Sequence, residues 1–393
     1  MPKSTPSTRR RKAVTTKPDK PYDGFPLFPH ATKRWAKKIR GKLHYFGPWD
    51  DPDAALAKYL DQKDDLHAGR VPSSTKDELR LADLLNHFLT HKDTLRTSGE
   101  LADRSFERYH NTCAFLIGVL GRNVPAARLT ADDFQRVRTE MTKRWGPVMV
   151  GNEIQMVRSI FRYGYEAGLL EVPPRFGPSF KKPSAKVLRQ ARAKRGLRMF
   201  EQDELLAVLD KAGVNLKAMI LLAVNGGLGN LDVGLLPIDA VNLKTGWLDY
   251  PRPKTAIDRH IPLWAETQEA IRAVLADRRE PKDSGDNRLL FIGPRGESYV
   301  GNHRGYRVAG EMTRALNKAG VNRKGLSFYA LRHTFQTVGE ESGDVVAVQS
   351  IMGHAPGNSD MAATYRERIS DERLKAVADH VRTWVFDLDD GKK

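Results

Sequence analysis

The chain has 393 residues, 40% of them hydrophobic and 29% charged, with a formal net charge of +17. That length exceeds one ordinary domain, so about two or three are expected, and the charge points to a polyanion, because each neutralised phosphate releases condensed counterions; a merely solvated basic surface would carry the same charge. The lone cysteine, Cys113, excludes an intramolecular disulfide, and no apolar run is long enough for a secretory leader or a membrane span, so a cytoplasmic, nucleoid-associated protein without a membrane partner is expected.

Residues 1–24 read as a basic disordered tail, with Arg9, Arg10, Arg11 and Lys12 in a row and little to bury. Residues 25–70 change character. Trp35, Ile39 and Leu43 interleave with Lys37, Lys38, Arg40 and Lys42, aromatic residues follow, and Gly41–Lys42 offers a hairpin closure. Pro52 to Leu60 begins a short helix. This small β-rich module makes Lys37, Lys38, Arg40 and Lys42 candidate DNA contacts; ordinary solvated lysines fit the same pattern equally well.

Residues 78–174 are helical. Leu81, Leu84, Leu85, Phe88 and Leu89 fall at helix spacing, as do Phe106, Tyr109, Cys113, Leu116 and Leu120. Thr130 with Asp133 three residues on is a capping-box signature ahead of Phe134, Val137 and Met141. Ile154, Val157 and Phe161 mark a fourth helix, and the four make a bundle. Residues 175–199, following Pro173 and Pro174, form a linker. Pro178 and Pro183 discourage helix, and the basic residues run from Lys181 to Arg198 without an acid. A linker lying on a phosphate backbone accounts for both features and makes Lys181, Lys182, Arg189 and Arg192 further candidate contacts; a plain solvated linker accounts only for the prolines.

From 200 to 386 the pattern is mixed, with a short tail at 387–393. Helices are expected around 205–209 and 216–222, strands at 248–254 and 259–263, then a longer helical half. The fold class expected is mainly α with small antiparallel β-sheets, an α+β domain following a helical one. Asp344 can cap a helix whose Val345, Val348 and Met352 face inward. Gly353 would end that helix and leave His354 at its exit. Ser359 or Asp360 can start another helix presenting Tyr365. Leu374, Val377, Val381 and Trp384 form a late apolar face for a neighbouring subunit or for its own domain. No His-Glu-x-x-His, paired cysteine or acidic cluster offers a metal site, Asp50, Asp51 and Asp53 read as a solvated turn, and no cofactor is implied.

Three segments of this last region resemble the tyrosine recombinase (phage integrase) family. Ala330-Leu331-Arg332-His333-Thr334-Phe335, then Gly353-His354, then Thr364-Tyr365 is similar to the family's signature in order and spacing. Pro253-Lys254-Thr255 resembles its lysine-bearing hairpin. Gly227-Leu228-Gly229-Asn230-Leu231-Asp232 is similar to its Gly-Leu-Arg segment, with Asp232 as the acid. Taken singly, each of these residues has a plain structural explanation: a salt bridge, a helix-terminus cation, an edge-strand charge.

The resemblance implies a DNA-breaking and rejoining fold with a helical, SAM-like core-binding domain, the two closing as a C-shaped clamp on double-stranded DNA. It also implies a homo-tetramer on DNA, with a monomer compatible with the free state. By the same resemblance Tyr365 would attack a scissile phosphate, Arg332, His354 and Tyr329 would hold it, Lys254 would protonate the leaving 5′ oxygen, and Asp232 would brace the site. Two positions depart from the family pattern. Tyr329 stands where His or Lys is usual. Gly229 stands where the first catalytic arginine belongs, and no Arg lies between Arg198 and Arg252 to recover it. Arg252 and Arg259, near the Lys254 hairpin, are the cations to test as substitutes. A non-cutting, architectural DNA-binding protein on the same fold is the alternative that Gly229 raises.

Overall fold

The computed structural model describes residues 17–69, 72, 78–300, 307–321, 323–355 and 361–387. The chain divides into two compact units, Met1–Ala191 and Arg192–Lys393. Arg9 to Lys12 and the Ser359–Asp360 pair lie outside the described residues.

The first unit opens with an antiparallel sheet, β1 (Phe28–His30), β2 (Arg34–Ile39) and β3 (Lys42–Pro48), in that order. The β2–β3 hairpin closes on Arg40 and Gly41, at φ 49° and 80°. Two successive positive φ values suit a tight primed turn that follows strand twist, so the turn sits one residue ahead of the expected Gly41–Lys42. Helix α1 (Pro52–Ala68) packs on the sheet, and Phe25, Leu27, Trp35, Ile39, Phe46, Ala55, Tyr59 and Leu66 fill the space between. Asp51 is the N-cap of α1, its carboxylate accepting from the Ala54 amide at 2.9 Å, and so is more than a solvated turn residue.

Four helices follow: α2 (Leu81–Thr97), α3 (Asp103–Leu120), α4 (Ala131–Arg144) and α5 (Pro147–Glu166). Their apolar stripes share one core. The expected box at the start of α4 forms, with Asp133 Oδ2 accepting from both the amide and hydroxyl of Thr130 at 3.0 Å. Cys113 lies in this core, and burial pushes its thiol up to about 12. The linker departs from expectation. Helix α6 (Ala185–Arg195) forms beyond Pro183, where no further proline interrupts it, and it buries none of its residues.

The second unit begins with α7 (Gln202–Lys211) and α8 (Val214–Gly226). Helix α8 is apolar nearly all round, as a central helix must be. It packs against α10 (Ala265–Ala276), α12 (Phe328–Glu341) and α15 (Asp371–Phe386). Between come α9 (Asn230–Gly234) and a sheet of β4 (Val241–Asn242), β5 (Trp247–Asp249) and β6 (His260–Pro262). Val241 pairs with Leu248 and Leu248 with Ile261, all antiparallel. These strands are shorter than expected, so Arg252, Lys254 and Arg259 lie in the connection between β5 and β6. The remaining helices are α11 (Arg307–Lys318), α13 (Val345–Ile351) and α14 (Met361–Thr364).

Asp344 caps α13 as expected, accepting from the Ala347 amide at 3.0 Å. Val345 does not face inward: it is 42% exposed, whereas Val348 and Met352 are buried as expected, with Ala347 and Ile351 on the same side. At the first helical position a side chain points away from a core that lies on the i+2, i+3 and i+6 face. Leu374, Val377 and Val381 of α15 are buried in the core of their own unit, with Trp384 packed beside them. Among the described residues no helix is long and apolar enough to cross a membrane.

Candidate active site

Helix α13 ends in a Schellman motif. Gly353 takes φ 61°, its amide bonds the Ser350 carbonyl at 2.9 Å, and the His354 amide bonds the Gln349 carbonyl at 3.0 Å. The chain turns sharply away, which delivers His354 beyond the helix end. Two carbonyls at that end, Met352 and Gly353, remain open to other donors.

Arg332 takes the first. It sits one turn into α12, 3% exposed, and its Nη2 donates to Met352 O at 2.8 Å. Its Nη1 donates to Gly227 O, at the left-handed cap of α8. The guanidinium therefore ties together two helix C-termini, where unpaired carbonyls and the dipole both favour a cation. Burial first, then the Arg252 charge, lowers its pKa to about 10, so it stays charged near neutrality.

Gly353 O is taken by the β5–β6 connection. Arg252 Nη1 donates to it at 3.1 Å and Thr255 Oγ1 at 3.3 Å. Lys254, exposed at the turn, is flanked by these two anchors and thereby held against the segment that carries His354. Burial, then the charges of Arg332 and Arg252, pushes the His354 imidazole down to about 4, so it is neutral at pH 7.

Asp232, in the first turn of α9, is 5% exposed. Its Oδ2 accepts from the Gly229 amide at 2.6 Å, and its Oδ1 lies 3.5 Å from Arg259 Nη2. Arg259 has a side chain with no solvent exposure, donates through Nε to Tyr250 O at 3.0 Å, and lies over the Tyr250 ring. Gly229 is at φ −94°, ψ 177°, an extended conformation open to any residue. A β-carbon there would lie 3.2 Å from Asp232 Oδ2 and 3.7 Å from the Tyr329 ring. Tyr329 is 47% exposed and stands edge-on to His333.

Arg332, His354, Asp232 and the Lys254 turn thus surround the end of α13, and Tyr329 borders the Gly229 position. Tyr365 stands apart. It directly follows α14, is 79% exposed, and among the described residues no hydrogen bond joins it to Arg332 or His354. The carbonyls of Gly227, Met352 and Gly353, and the Thr255 hydroxyl, were beyond sequence reasoning; backbone acceptors leave no residue-type signal.

The candidate DNA contacts divide. Lys37 lies on the helix side of the sheet, bonded to Tyr59 Oη at 2.8 Å and 4.6 Å from that ring's centre. It shares the face of Trp35 and Ile39 and is engaged by α1, which removes it from the free basic face. Lys38, Arg40 and Lys42 are exposed, and Arg40 also donates to His67 O. Lys181, Lys182, Arg189 and Arg192 are all exposed, the last two on α6.

Residues 195–371 match the model of the phage integrase family. A tyrosine recombinase XerC of Stutzerimonas stutzeri (strain A1501) is 26% identical over 235 residues, spanning 58% of this chain and 71% of that protein. A lambda integrase tetramer bound to a Holliday junction aligns with TM-score 0.54 at 16% identity, covering 89% of this chain and 98% of that one. A Tn1549 transposon integrase in complex with a circular intermediate DNA aligns with TM-score 0.55 at 16% identity, covering 75% and 98%. At that identity the structural likeness speaks for the fold, and the family match covers the segment that holds Arg332, His354, Lys254, Asp232 and Tyr365. Residues 195–371 are thus a tyrosine recombinase (phage integrase) domain by similarity, and members of that family are DNA strand transferases acting in site-specific recombination.

Proposed function

We propose that this chain cuts and rejoins duplex DNA through a 3′-phosphotyrosyl intermediate on Tyr365. The observation that carries the reading is the convergence of Arg332 and the Lys254 turn on the carbonyls that end α13, immediately before His354. That arrangement offers one phosphate a guanidinium, an imidazole and an ammonium. The Tyr365 oxygen forms the new bond to phosphorus, and the bond from phosphorus to the 5′ oxygen breaks. Lys254 gives its proton to that departing oxygen, and the phenol proton leaves to water. Arg332 and His354 stabilise the charge on the nonbridging oxygens, with Tyr329 as an added donor. Energy is held in the protein–DNA bond, so rejoining is the reverse attack by a 5′ hydroxyl. The exposure of Tyr365 leaves its hydroxyl open to a backbone arriving from outside.

In this reading residues 25–70 are an arm-type module, 78–174 a core-binding domain, 175–199 a basic linker and 200–386 the catalytic domain. Duplex DNA is the partner, and a homo-tetramer is the assembly on DNA, as in the lambda integrase complex with a Holliday junction. Lys38, Arg40, Lys42, Lys181, Lys182, Arg189 and Arg192 hold phosphates. A second reading, a DNA-binding protein that does not cut, is favoured by Gly229 alone.

The test uses duplexes selected by the full chain from a random-sequence pool and nicked at successive positions, which trap the covalent species. The native chain should give an adduct, and Tyr365→Phe should abolish it while binding is retained. Tight binding with no adduct from the native chain would favour the second reading.

A further inference from the structure

The family's first arginine is missing at Gly229, yet the site is rich in guanidinium. Arg252, Arg259 and Arg332 gather around Gly353, with Asp232 the carboxylate among them: Arg332 and Arg252 bond the carbonyls of Met352 and Gly353, and a β-carbon on Gly353 would touch both Arg252 and Arg259. Three cations against one carboxylate leave an excess that an anion would neutralise. The three do not have the same freedom. Arg332 is occupied on both Nη atoms by Gly227 O and Met352 O, and is itself buried. Arg259 has no exposed side-chain surface and is bound to Asp232 and Tyr250, so it braces the site from within. Arg252 is only partly buried.

Arg252 is also held in place. Its amide donates to Ile257 O at 2.8 Å, and its carbonyl accepts from the Thr255 and Ala256 amides at 3.0 and 2.8 Å, which closes the connection into a tight loop. Its Nη1 bonds Gly353 O while Arg332 Nη2 bonds Met352 O, so consecutive carbonyls seat two guanidiniums beside one another just before His354. The helix-end carbonyls also offset the repulsion between the two cations. Its Nε is buried and, among the described residues, has no hydrogen-bond partner.

We propose that Arg252 supplies the phosphate-binding guanidinium that Gly229 lacks, contacting a nonbridging oxygen of the scissile phosphate beside Arg332. The inference rests on the proposed strand-transfer reading. Chemically the step is unchanged: the tyrosyl oxygen bonds to phosphorus, the 5′ oxygen departs with a proton, and Arg252 binds charge without giving up a proton of its own.

The test compares two nicked duplexes of the selected sequence, one with an ordinary scissile phosphate and one with a methylphosphonate there, which lacks the nonbridging negative charge. Arg252→Ala should slow adduct formation on the phosphate by about a hundred- to thousandfold. On the neutral methylphosphonate the loss should shrink to less than about tenfold, because there is no charge left for the guanidinium to hold. Circular dichroism melting and DNA binding show that the variant is folded, and Arg252→Lys should recover part of the rate if the charge matters. Equal losses on both substrates would assign Arg252 a merely structural hold on Gly353 and overturn the inference. So would a native rate for Arg252→Ala while Arg332→Ala and Tyr365→Phe fail, an outcome that leaves the strand-transfer reading standing. Absence of any adduct from the native chain would overturn that reading and this inference with it.

Discussion

Placing an arginine at position 229 shows whether the site lacks a cation or has already replaced one. The backbone there is extended at φ −94°, so a side chain meets no left-handed penalty. A β-carbon would sit 3.2 Å from Asp232 Oδ2 and 3.7 Å from the Tyr329 ring, a fit that asks the carboxylate to give by a few tenths of an ångström. Losing glycine from the N-cap of α9 adds to that, so Gly229→Ala should lower stability by about 1 kcal/mol. A missing phosphate donor typically costs about 2.7–4 kcal/mol of transition-state stabilisation, or about a hundred- to thousandfold in rate. With Arg252 already in place, Gly229→Arg should change the native cleavage rate by less than about tenfold. In an Arg252→Ala chain the same substitution should restore at least about tenfold of what was lost, and Gly229→Ala should restore none. Single-turnover adduct formation on the nicked duplex measures all five chains. A hundredfold gain from Gly229→Arg in the otherwise native protein would refute the reasoning, because it would mean an empty arginine seat.

Three other outcomes follow from the same geometry. Asp232→Ala leaves buried Arg259 without its carboxylate and should cost about 3–5 kcal/mol, whereas the double change with Arg259→Met should cost less than the single one; equal urea midpoints for the two would remove the pair from the account. His354 is shifted down to about 4 from an ordinary value of about 6.5, so the folded state takes up its proton later than the unfolded state. Stability from this group is then complete above pH 6.5 and declines as pH falls towards 4. The urea midpoint should drop between pH 7.5 and pH 5, less so in His354→Asn, and an identical drop in both chains would deny His354 the effect. Changing Lys181, Lys182, Arg189 and Arg192 to Ala should weaken DNA binding and flatten its salt slope by about 0.9 for each lost phosphate contact; an unchanged slope would mean these side chains are only solvated.

The helical bundle and the ends of α13 were legible in the sequence because local signals and burial agreed. The Thr130–Asp133 pair, the Asp344 cap and the Gly353 turn each satisfy backbone groups at the place their spacing indicates. The site was legible in part. Order and spacing singled out Arg332, His354, Lys254 and Asp232 as candidates, but the support around the end of α13 is a set of backbone carbonyls, which any residue can supply. Lys37 was misplaced because a lysine can lay its stem along a core and reach a tyrosine hydroxyl, so its type does not reveal its face. The strands around Lys254 came out short because Pro251 and Pro253 remove two donors from the ladder. Helix α6 was missed by weighing prolines over the proline-free stretch that follows them.

The central claim, covalent strand transfer by Tyr365, is tested most directly by the chemistry of the trapped bond. Protease digestion of the adduct and mass spectrometry should find one peptide, containing Tyr365, joined to a DNA 3′-phosphate. The released strand should carry a 5′ hydroxyl that accepts label from a polynucleotide kinase. Attachment at Tyr329, or a protein linked to a 5′ end, would contradict the account.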